Sequence, residues 1–111
     1  TSAFLGLHGR AIPLAVGIKQ ARSDLTVLAI GGDGGFLAEG TNHLIHAARR
    51  NDDITVILIN NHLFSLTTGQ AAPTTPADLP NKTADLFQKA QPLNPLALAL
   101  AAGAGFVARV F

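Results

Sequence analysis

One aspartate lies among four glycines, and a pair of asparagines follows it at a fixed distance. Asp33 has two glycines on each side, and Asn60 and Asn61 come after a spacer of 25 residues that follows Gly34. Carboxylate and amide oxygens are hard donors that suit Mg²⁺, which often takes its other ligands from water and substrate phosphates. Glycines let a backbone approach a phosphate closely, and a helix that begins nearby offers N–H groups. These residues predict a Mg²⁺–diphosphate site.

Two other phosphate-binding motifs are excluded by the same turn. A P-loop requires a lysine after its glycines, and no lysine follows Gly35. The dinucleotide fingerprint G-x-G-x-x-G is missing, and Asp33 would repel a pyrophosphate that carries no metal. A diphosphate bound here therefore needs a bridging cation.

Helices and strands must alternate to position these residues. Periodicity predicts helices over 10–22, 36–50, 83–90 and 96–102, and strands over 25–30, 54–59 and from 106 onward. Residues 60–81 lack a periodic pattern and predict a long loop, a feature that is usually functional. The order predicts an α/β fold, a parallel sheet with helices on both faces. Neighbouring strands, about 4.8 Å apart, would bring Asp33 and Asn61 to one ion, while Asn60 is expected to cap its strand end.

The composition argues against two classes of binding partner. The net charge is +1, and charged residues make up 14% of the chain, below the usual level of about 25%. This balance gives no reason to expect a nucleic acid or a membrane as partner. The most apolar stretch, 95–108, is too short to span a bilayer. The chain has no cysteine. It contains no methionine, begins at Thr1 and ends inside a run of residues typical of a strand, so we interpret it as a piece of a longer protein.

The glycine turn and the asparagine pair resemble the thiamine diphosphate motif that begins with GDG and ends with NN. Further segments, in the same order along the whole chain, resemble the β subunit of 2-oxoacid:ferredoxin oxidoreductases. These segments are HGRAIP at 8–13, NHLIHAARRN at 42–51, LTTGQ at 66–70, PTTP at 73–76 and NPLALA at 94–99. The resemblance implies an incomplete thiamine diphosphate-binding fold, with 1–111 as the central part of a longer subunit.

The resemblance also implies the site residues. Asp33 and Asn61 would bind Mg²⁺ through their side chains, and Leu63 through its backbone carbonyl. The implied cofactor-binding residues are these three together with Gly32, Gly34, Gly35, His8 and Thr67. No catalytic residue is implied in this chain. Glu39 is the only glutamate, and the family's activating glutamate belongs to the partner subunit.

The implied activity is the thiamine diphosphate-dependent oxidative decarboxylation of a 2-oxoacid to an acyl-CoA, with electrons passing to ferredoxin. The implied enzyme is a cytoplasmic hetero-oligomer whose α subunit carries the pyrimidine-binding domain. A [4Fe-4S] cluster is expected in the full-length subunit, but its ligands are not in this chain. Thr68 stands where some members that accept dicarboxylates have lysine, which favours a neutral 2-oxoacid such as pyruvate over 2-oxoglutarate.

Two alternatives remain open. A non-oxidative thiamine-dependent lyase of the acetolactate synthase type shares the wording of residues 32–36. A non-catalytic nucleotide-binding module would use the same strand ends without chemistry. The chain also departs from the family pattern, since Gly35 replaces a common second aspartate and Phe64-Ser65 replaces a common Tyr-Gly pair.

Overall fold

The first helix, α1, spans Ala11–Ala21 in the computed structural model, which describes residues 2–84 and 90–110. Pro13 lies in its first turn, where a missing N–H costs no helical hydrogen bond. Ile12, Ala15 and Val16 form its buried side. The helix predicted over 10–22 is confirmed.

A tight turn joins α1 to the first strand. The Lys19 ammonium donates to the carbonyl oxygens of Ser23 at 2.9 Å and Leu25 at 2.7 Å. The Arg22 guanidinium donates to both carboxylate oxygens of Asp24, which raises the pKa of Arg22 and lowers the pKa of Asp24. Because these contacts hold the chain in a turn, strand β1 spans Leu28–Gly32 and not the predicted 25–30.

The sheet that carries the site is a parallel pair. Strand β2 spans Thr55–Ile59, as predicted within one residue, and pairs with β1 from Leu28 opposite Thr55 to Gly32 opposite Ile59. Asp33 and Asn60 are therefore the first residues beyond the last pair. The α/β class and the parallel sheet are confirmed.

The helix predicted over 36–50 is interrupted. A π-helical turn spans Gly35–Glu39, and helix α2 spans Thr41–Arg50. Gly40 separates them, because a Cβ at this residue would lie 2.8 Å from the carbonyl oxygens of both Gly35 and Gly9. The segment before α1 is thus packed directly against the π-helical turn.

The helices cover one face of the sheet. The buried cluster combines Ile12, Ala15, Val16, Ala29, Phe36, Leu37, Leu44 and Ala47. The opposite face presents Leu28, Ile30, Ile57 and Ile59, which are 42–58% exposed. The expected cover on both faces is therefore seen on one face of the described part of the chain, since no described helix packs against the other.

The last described helix, α3, spans Pro95–Ala101 and lies against α2. The Asn94 side chain caps it by accepting from the backbone N–H groups of Leu96 and Ala97, as the sequence predicts. No strand forms over 106–110 within the described residues, and Phe106 is 85% exposed. That part of the prediction is wrong.

The long loop after β2 is confirmed, although it contains a small antiparallel pair. Strand β3 spans Leu63–Phe64 and strand β4 spans Gln70–Ala71. Most of the helix predicted over 83–90 lies outside the described residues. Among the residues described, no helix has the length and apolar character needed to cross a membrane.

Candidate functional site

Asp33 is a buried carboxylate at the end of β1. Its side chain is 1% exposed, and its Oδ2 lies 2.5 Å from the hydroxyl oxygen of Thr74. Its Oδ1 is shielded from solvent and has no hydrogen-bond partner among the described residues. A buried carboxylate oxygen without a partner is costly. The carboxylate is therefore suited to receive a cation.

Thr74 is the site residue that the sequence prediction missed. It is 3% exposed, and its hydroxyl oxygen also lies 2.8 Å from the Asn60 amide oxygen. The His62 Nδ1 lies 2.9 Å from the Thr74 carbonyl oxygen. The available signal was the pair of threonines between Pro73 and Pro76, since short hydroxyl side chains in a proline-bounded turn have little conformational freedom.

The two asparagines have different surroundings. The Asn60 amide oxygen accepts from the His62 backbone N–H at 3.2 Å, as expected for a residue that caps a strand end. Asn61 is exposed, its amide oxygen accepts from the Leu63 N–H at 3.2 Å, and its amide nitrogen donates to the Ser65 hydroxyl. No hydrogen bond connects Asn61 with Asp33, although both residues lie at the same edge of the sheet.

The glycine turn is covered by two rings. A Cβ at Gly34 would lie 2.5 Å from the Phe64 ring, and one at Gly35 would lie 3.5 Å from the His8 Nε2. The His8 Nδ1 is 2.9 Å from the Glu39 carboxylate, and the rings of His8 and Phe64 are 6.0 Å apart. The structure thus places His8 beside the glycines, as expected, while Gly32 is exposed.

The loop that follows carries the other predicted residues. Leu63 lies opposite Ala71 in the β3–β4 pair. The Thr67 hydroxyl donates to the Gln70 side-chain oxygen at 2.6 Å and lies on the exposed part of the loop. Thr67 thus forms its hydrogen bond within its own loop and not with the glycine turn.

A lysine that the sequence prediction did not consider reaches this loop. The Lys82 ammonium donates to the Thr68 hydroxyl, and the Lys82 backbone N–H donates to the Gly69 carbonyl at 2.9 Å. The Ala71 N–H donates to the Thr83 hydroxyl at 2.9 Å. These backbone contacts fix Lys82 beside Thr68. The loop therefore has a positively charged group next to the position that carries threonine.

The donor set favours a hard cation. Within 2–84 and 90–110, no group of three or more His, Cys, Asp or Glu side chains could hold a metal. A metal at Asp33 would therefore rely on one carboxylate and on neutral oxygens from amide, hydroxyl and carbonyl groups. Such a set suits Mg²⁺ and is a poor match for zinc, which prefers nitrogen and sulfur ligands.

Comparison with known families gives one match over the whole length. Residues 1–111 match the family described as thiamine pyrophosphate enzyme, C-terminal TPP binding domain.

Curated relatives are similar over most of this chain. It is 49% identical over 102 residues to the 2-oxoglutarate synthase subunit KorB of Archaeoglobus fulgidus, covering 92% of this chain and 38% of the relative. It is 46% identical over 108 residues to the 2-oxoacid:ferredoxin oxidoreductase 2, subunit beta, of Aeropyrum pernix, covering 97% and 35%. This chain thus spans little more than a third of either relative.

A solved structure shares the fold. It is described as the 2-oxoglutarate:ferredoxin oxidoreductase from Magnetococcus marinus with 2-oxoglutarate, coenzyme A and succinyl-CoA bound. The TM-score is 0.83 at 39% identity, and the match covers 87% of this chain and 33% of that one.

Proposed function

This chain belongs to the family described as thiamine pyrophosphate enzyme, C-terminal TPP binding domain, and from that membership we propose the role of residues 1–111. They form the central, diphosphate-binding part of a 2-oxoacid:ferredoxin oxidoreductase β subunit. The proposed reaction is the oxidative decarboxylation of a 2-oxoacid to an acyl-CoA in the cytoplasm, with ferredoxin as electron acceptor. The names of the relatives support this assignment. The activity belongs to the assembled enzyme, of which this chain is one segment.

One observation carries the proposal: Asp33 is buried where two parallel strands end, and its Oδ1 has no partner. In open α/β sheets, ligands bind outside the carboxyl ends of the strands. A Mg²⁺ ion there would satisfy the carboxylate and join it to a diphosphate that the same carboxylate would otherwise repel. The proposed ligands are the side chains of Asp33 and Asn61 and the Leu63 carbonyl.

The glycine turn would hold the diphosphate. Gly32, Gly34 and Gly35 allow the backbone to approach phosphate oxygens closely. His8 lies beside Gly35, and its Nδ1 is occupied by Glu39. Its Nε2, the ring nitrogen nearest to Gly35, is the proposed cofactor contact. Thr67 is proposed as a further contact from the loop after β2.

Thiamine diphosphate, when bound, supplies the carbon nucleophile and the electron sink for decarboxylation. The residues of this chain bind and orient it. Glu39 is paired with His8, so the acid that activates the cofactor is proposed to come from an α subunit with the pyrimidine-binding domain. Because the chain contains no cysteine, a [4Fe-4S] cluster would be bound by other segments of the β subunit.

A positive charge beside Thr68 makes a dicarboxylate a candidate substrate. The preference for a neutral 2-oxoacid rested on Thr68, which cannot pair with a distal carboxylate. The Lys82 ammonium at the Thr68 hydroxyl removes that premise. We therefore propose that Lys82 supplies the cation for a second carboxylate and that 2-oxoglutarate is a substrate, in line with the names of several relatives.

The proposal is tested on the complete purified enzyme. Reduction of a low-potential dye is measured with pyruvate, a branched-chain 2-oxoacid and 2-oxoglutarate, with coenzyme A or Mg²⁺ omitted in turn. We expect turnover of at least one acid that requires coenzyme A and Mg²⁺, and its loss in Asp33→Asn. Dye reduction that does not depend on Mg²⁺ would contradict the site.

The same assay separates the alternatives. A lyase of the acetolactate synthase type would release CO₂ from pyruvate without reducing the dye. A nucleotide-binding module would show no turnover, and its unfolding temperature would rise with a nucleotide but not with thiamine diphosphate and Mg²⁺. Relatives named as 2-oxoacid:ferredoxin oxidoreductases favour the oxidative reaction.

A further inference from the structure

We propose that Thr74 is a positioning residue for the metal site: its hydroxyl holds Oδ2 of Asp33 and leaves Oδ1 as the oxygen that binds the divalent cation. The inference rests on the proposed function, because it requires a cation at Asp33. Thr74 itself touches neither the cofactor nor the substrate in this assignment.

A buried hydrogen bond joins the Thr74 hydroxyl to the Asp33 carboxylate. Thr74 and Asp33 are 3% and 1% exposed, and their oxygens are 2.5 Å apart. A threonine hydroxyl has a single proton to donate. The carboxylate is a stronger acceptor than the Asn60 amide oxygen at 2.8 Å. The proton therefore goes to Oδ2 of Asp33, and this bond restricts rotation of the carboxyl group.

The second oxygen of the carboxylate has no partner. Oδ1 of Asp33 is buried and has no donor among the described residues. The Asn60 amide oxygen, which also lies 2.8 Å from the Thr74 hydroxyl, accepts instead from the His62 N–H. Protein interiors rarely leave an atom such as Oδ1 unsatisfied. A cation bound through Oδ1 would supply the missing partner.

The loop fixes Thr74 on both sides. The Thr75 N–H donates to the Ala72 carbonyl at 3.0 Å, and the Ala72 N–H donates to the Thr75 hydroxyl at 2.8 Å. The Thr75 hydroxyl also donates to the His62 carbonyl, and the His62 ring bonds the Thr74 carbonyl. With its backbone fixed in this turn, Thr74 holds Asp33 and does not simply follow it.

The test uses Mn²⁺ as a paramagnetic probe in the complete enzyme with thiamine diphosphate present. Thr74→Val removes the hydroxyl and keeps the shape, whereas Thr74→Ser keeps the hydroxyl. The matched control is Thr41→Val at the start of α2. It removes a hydroxyl that donates to the Leu37 carbonyl at 2.5 Å. Bound Mn²⁺ is titrated by electron paramagnetic resonance, and kcat is measured at saturating Mg²⁺.

We expect Thr74→Val to weaken Mn²⁺ binding about 10-fold, as is typical when an outer partner of a metal ligand is lost. Thr74→Ser should stay within about twofold of the wild type, and Thr41→Val should be unchanged. The kcat of Thr74→Val at saturating Mg²⁺ should remain within about threefold of the wild type, because the hydroxyl acts only through the metal ligand. If Thr74→Val does not assemble, Thr74→Ala is held to the same criteria.

Three results separate the possible failures. Normal Mn²⁺ affinity in Thr74→Val, with binding lost in Asp33→Asn, would overturn the role of Thr74 and leave the proposed function intact. Normal affinity in Asp33→Asn as well would overturn the metal site and the proposed function with it. Equal weakening in Thr74→Val and Thr41→Val would reduce Thr74 to a structural residue and overturn the inference.

Discussion

The segments that follow β1 and β2 begin at the same edge of the sheet, but one is buried and the other is exposed. After β1 the chain turns inward, so that Asp33 and Phe36 are almost fully buried. After β2 the chain runs outward, and Leu66, which lies between β3 and β4, is 93% exposed. Two residues of that loop, His62 and Thr68, have positive φ angles of 66° and 75°, a conformation that costs non-glycine residues free energy.

The difference separates two requirements of the proposed site. A metal ligand needs a fixed position, and burial with a hydrogen bond to Thr74 provides it for Asp33. A substrate loop needs side chains free to meet a ligand, and exposure provides that for residues 65–68. The buried segment would thus supply the carboxylate that holds the metal, with Asn61 and Leu63 as neutral ligands, while the exposed part of the loop would face the acid. The predictions below challenge this division, beginning with the largest expected effect.

The largest effect should come from the buried segment. Asp33→Asn removes the only carboxylate of the proposed ligand set, whereas Asn61→Ala removes a neutral donor. We expect Asp33→Asn to weaken Mg²⁺-dependent retention of thiamine diphosphate by more than about 100-fold, because a direct ligand should exceed the 10–100-fold typical of outer partners. Asn61→Ala should cost less. Cofactor content after gel filtration of the complete enzyme measures both, and a larger loss in Asn61→Ala would reverse the comparison.

The next effect concerns the packing that supports the buried segment. A Cβ at Gly40 would lie 2.8 Å from two backbone carbonyl oxygens, which cannot rotate away. We expect Gly40→Ala to lower the free energy of unfolding by about 1–3 kcal/mol, as for overpacked cores. Gly17→Ala is the matched control, because nothing lies within 4 Å of its Cβ in α1. It should stabilise the protein by about 0.5–1 kcal/mol. Denaturant unfolding of the intact protein gives both values, and equal effects would refute the packing argument.

Lys82, which lies against the exposed loop, should affect selectivity and leave cofactor binding intact. Lys82→Met removes the ammonium beside Thr68. We expect kcat/KM for 2-oxoglutarate to fall about 10-fold relative to pyruvate, less than for a fully desolvated pair because Lys82 is exposed.

The complementary variant sharpens this prediction. Adding Thr68→Lys to Lys82→Met returns a cation to the same part of the loop and should restore the ratio of the two kcat/KM values. A ratio that stays at the wild-type value in Lys82→Met would show that another group binds the second carboxylate. Thiamine diphosphate content serves as the control and should be equal in all three proteins.

The smallest effect lies far from both segments, in the turn after α1. The Arg22 guanidinium lowers the pKa of Asp24 from its usual 3.8. A lowered pKa in the folded state adds stability above the unfolded-state pKa, and that stability is lost as the pH falls through the folded-state value. Asp24→Asn should therefore be slightly less stable than the wild type at pH 7, and the difference should shrink as the pH falls below 3.8. Urea midpoints at pH 7 and at pH 2.5 measure the effect.

The sequence predicted local structure well where a single element determines it. Helix α3 follows from Asn94 and Pro95, because the cap and the first turn are set by neighbouring residues. The break at Gly40 was not predictable, since it depends on contact with Gly9, which is remote in sequence. The exposed sheet face was missed for a related reason: an apolar run predicts burial, whereas the cover must come from other segments.

The candidate site shows the same limit. Asp33 was identified from its glycines and its spacing to the asparagines, which are features of sequence. Thr74 and Lys82 were missed as site residues because each meets its partner through tertiary folding: Thr74 bonds Asp33 across 41 positions, and Lys82 bonds Thr68 across 14. Chemistry that one residue type carries can be read from the chain, whereas a partnership between distant residues requires the fold.

The bond between Thr74 and Asp33 also bears on the order in which the chain folds. Closing a long loop costs more chain entropy than forming a helix, and contacts between distant residues slow folding. Helices α1 and α2 rest on local contacts and are expected to form first, and the turn at residues 72–75 can dock only after β1 and β2 have paired. The proposed cation site is thus completed late. A divalent ion that binds only the completed site would draw the folding equilibrium toward the native chain, so metal supply during biosynthesis would influence the yield of folded subunit.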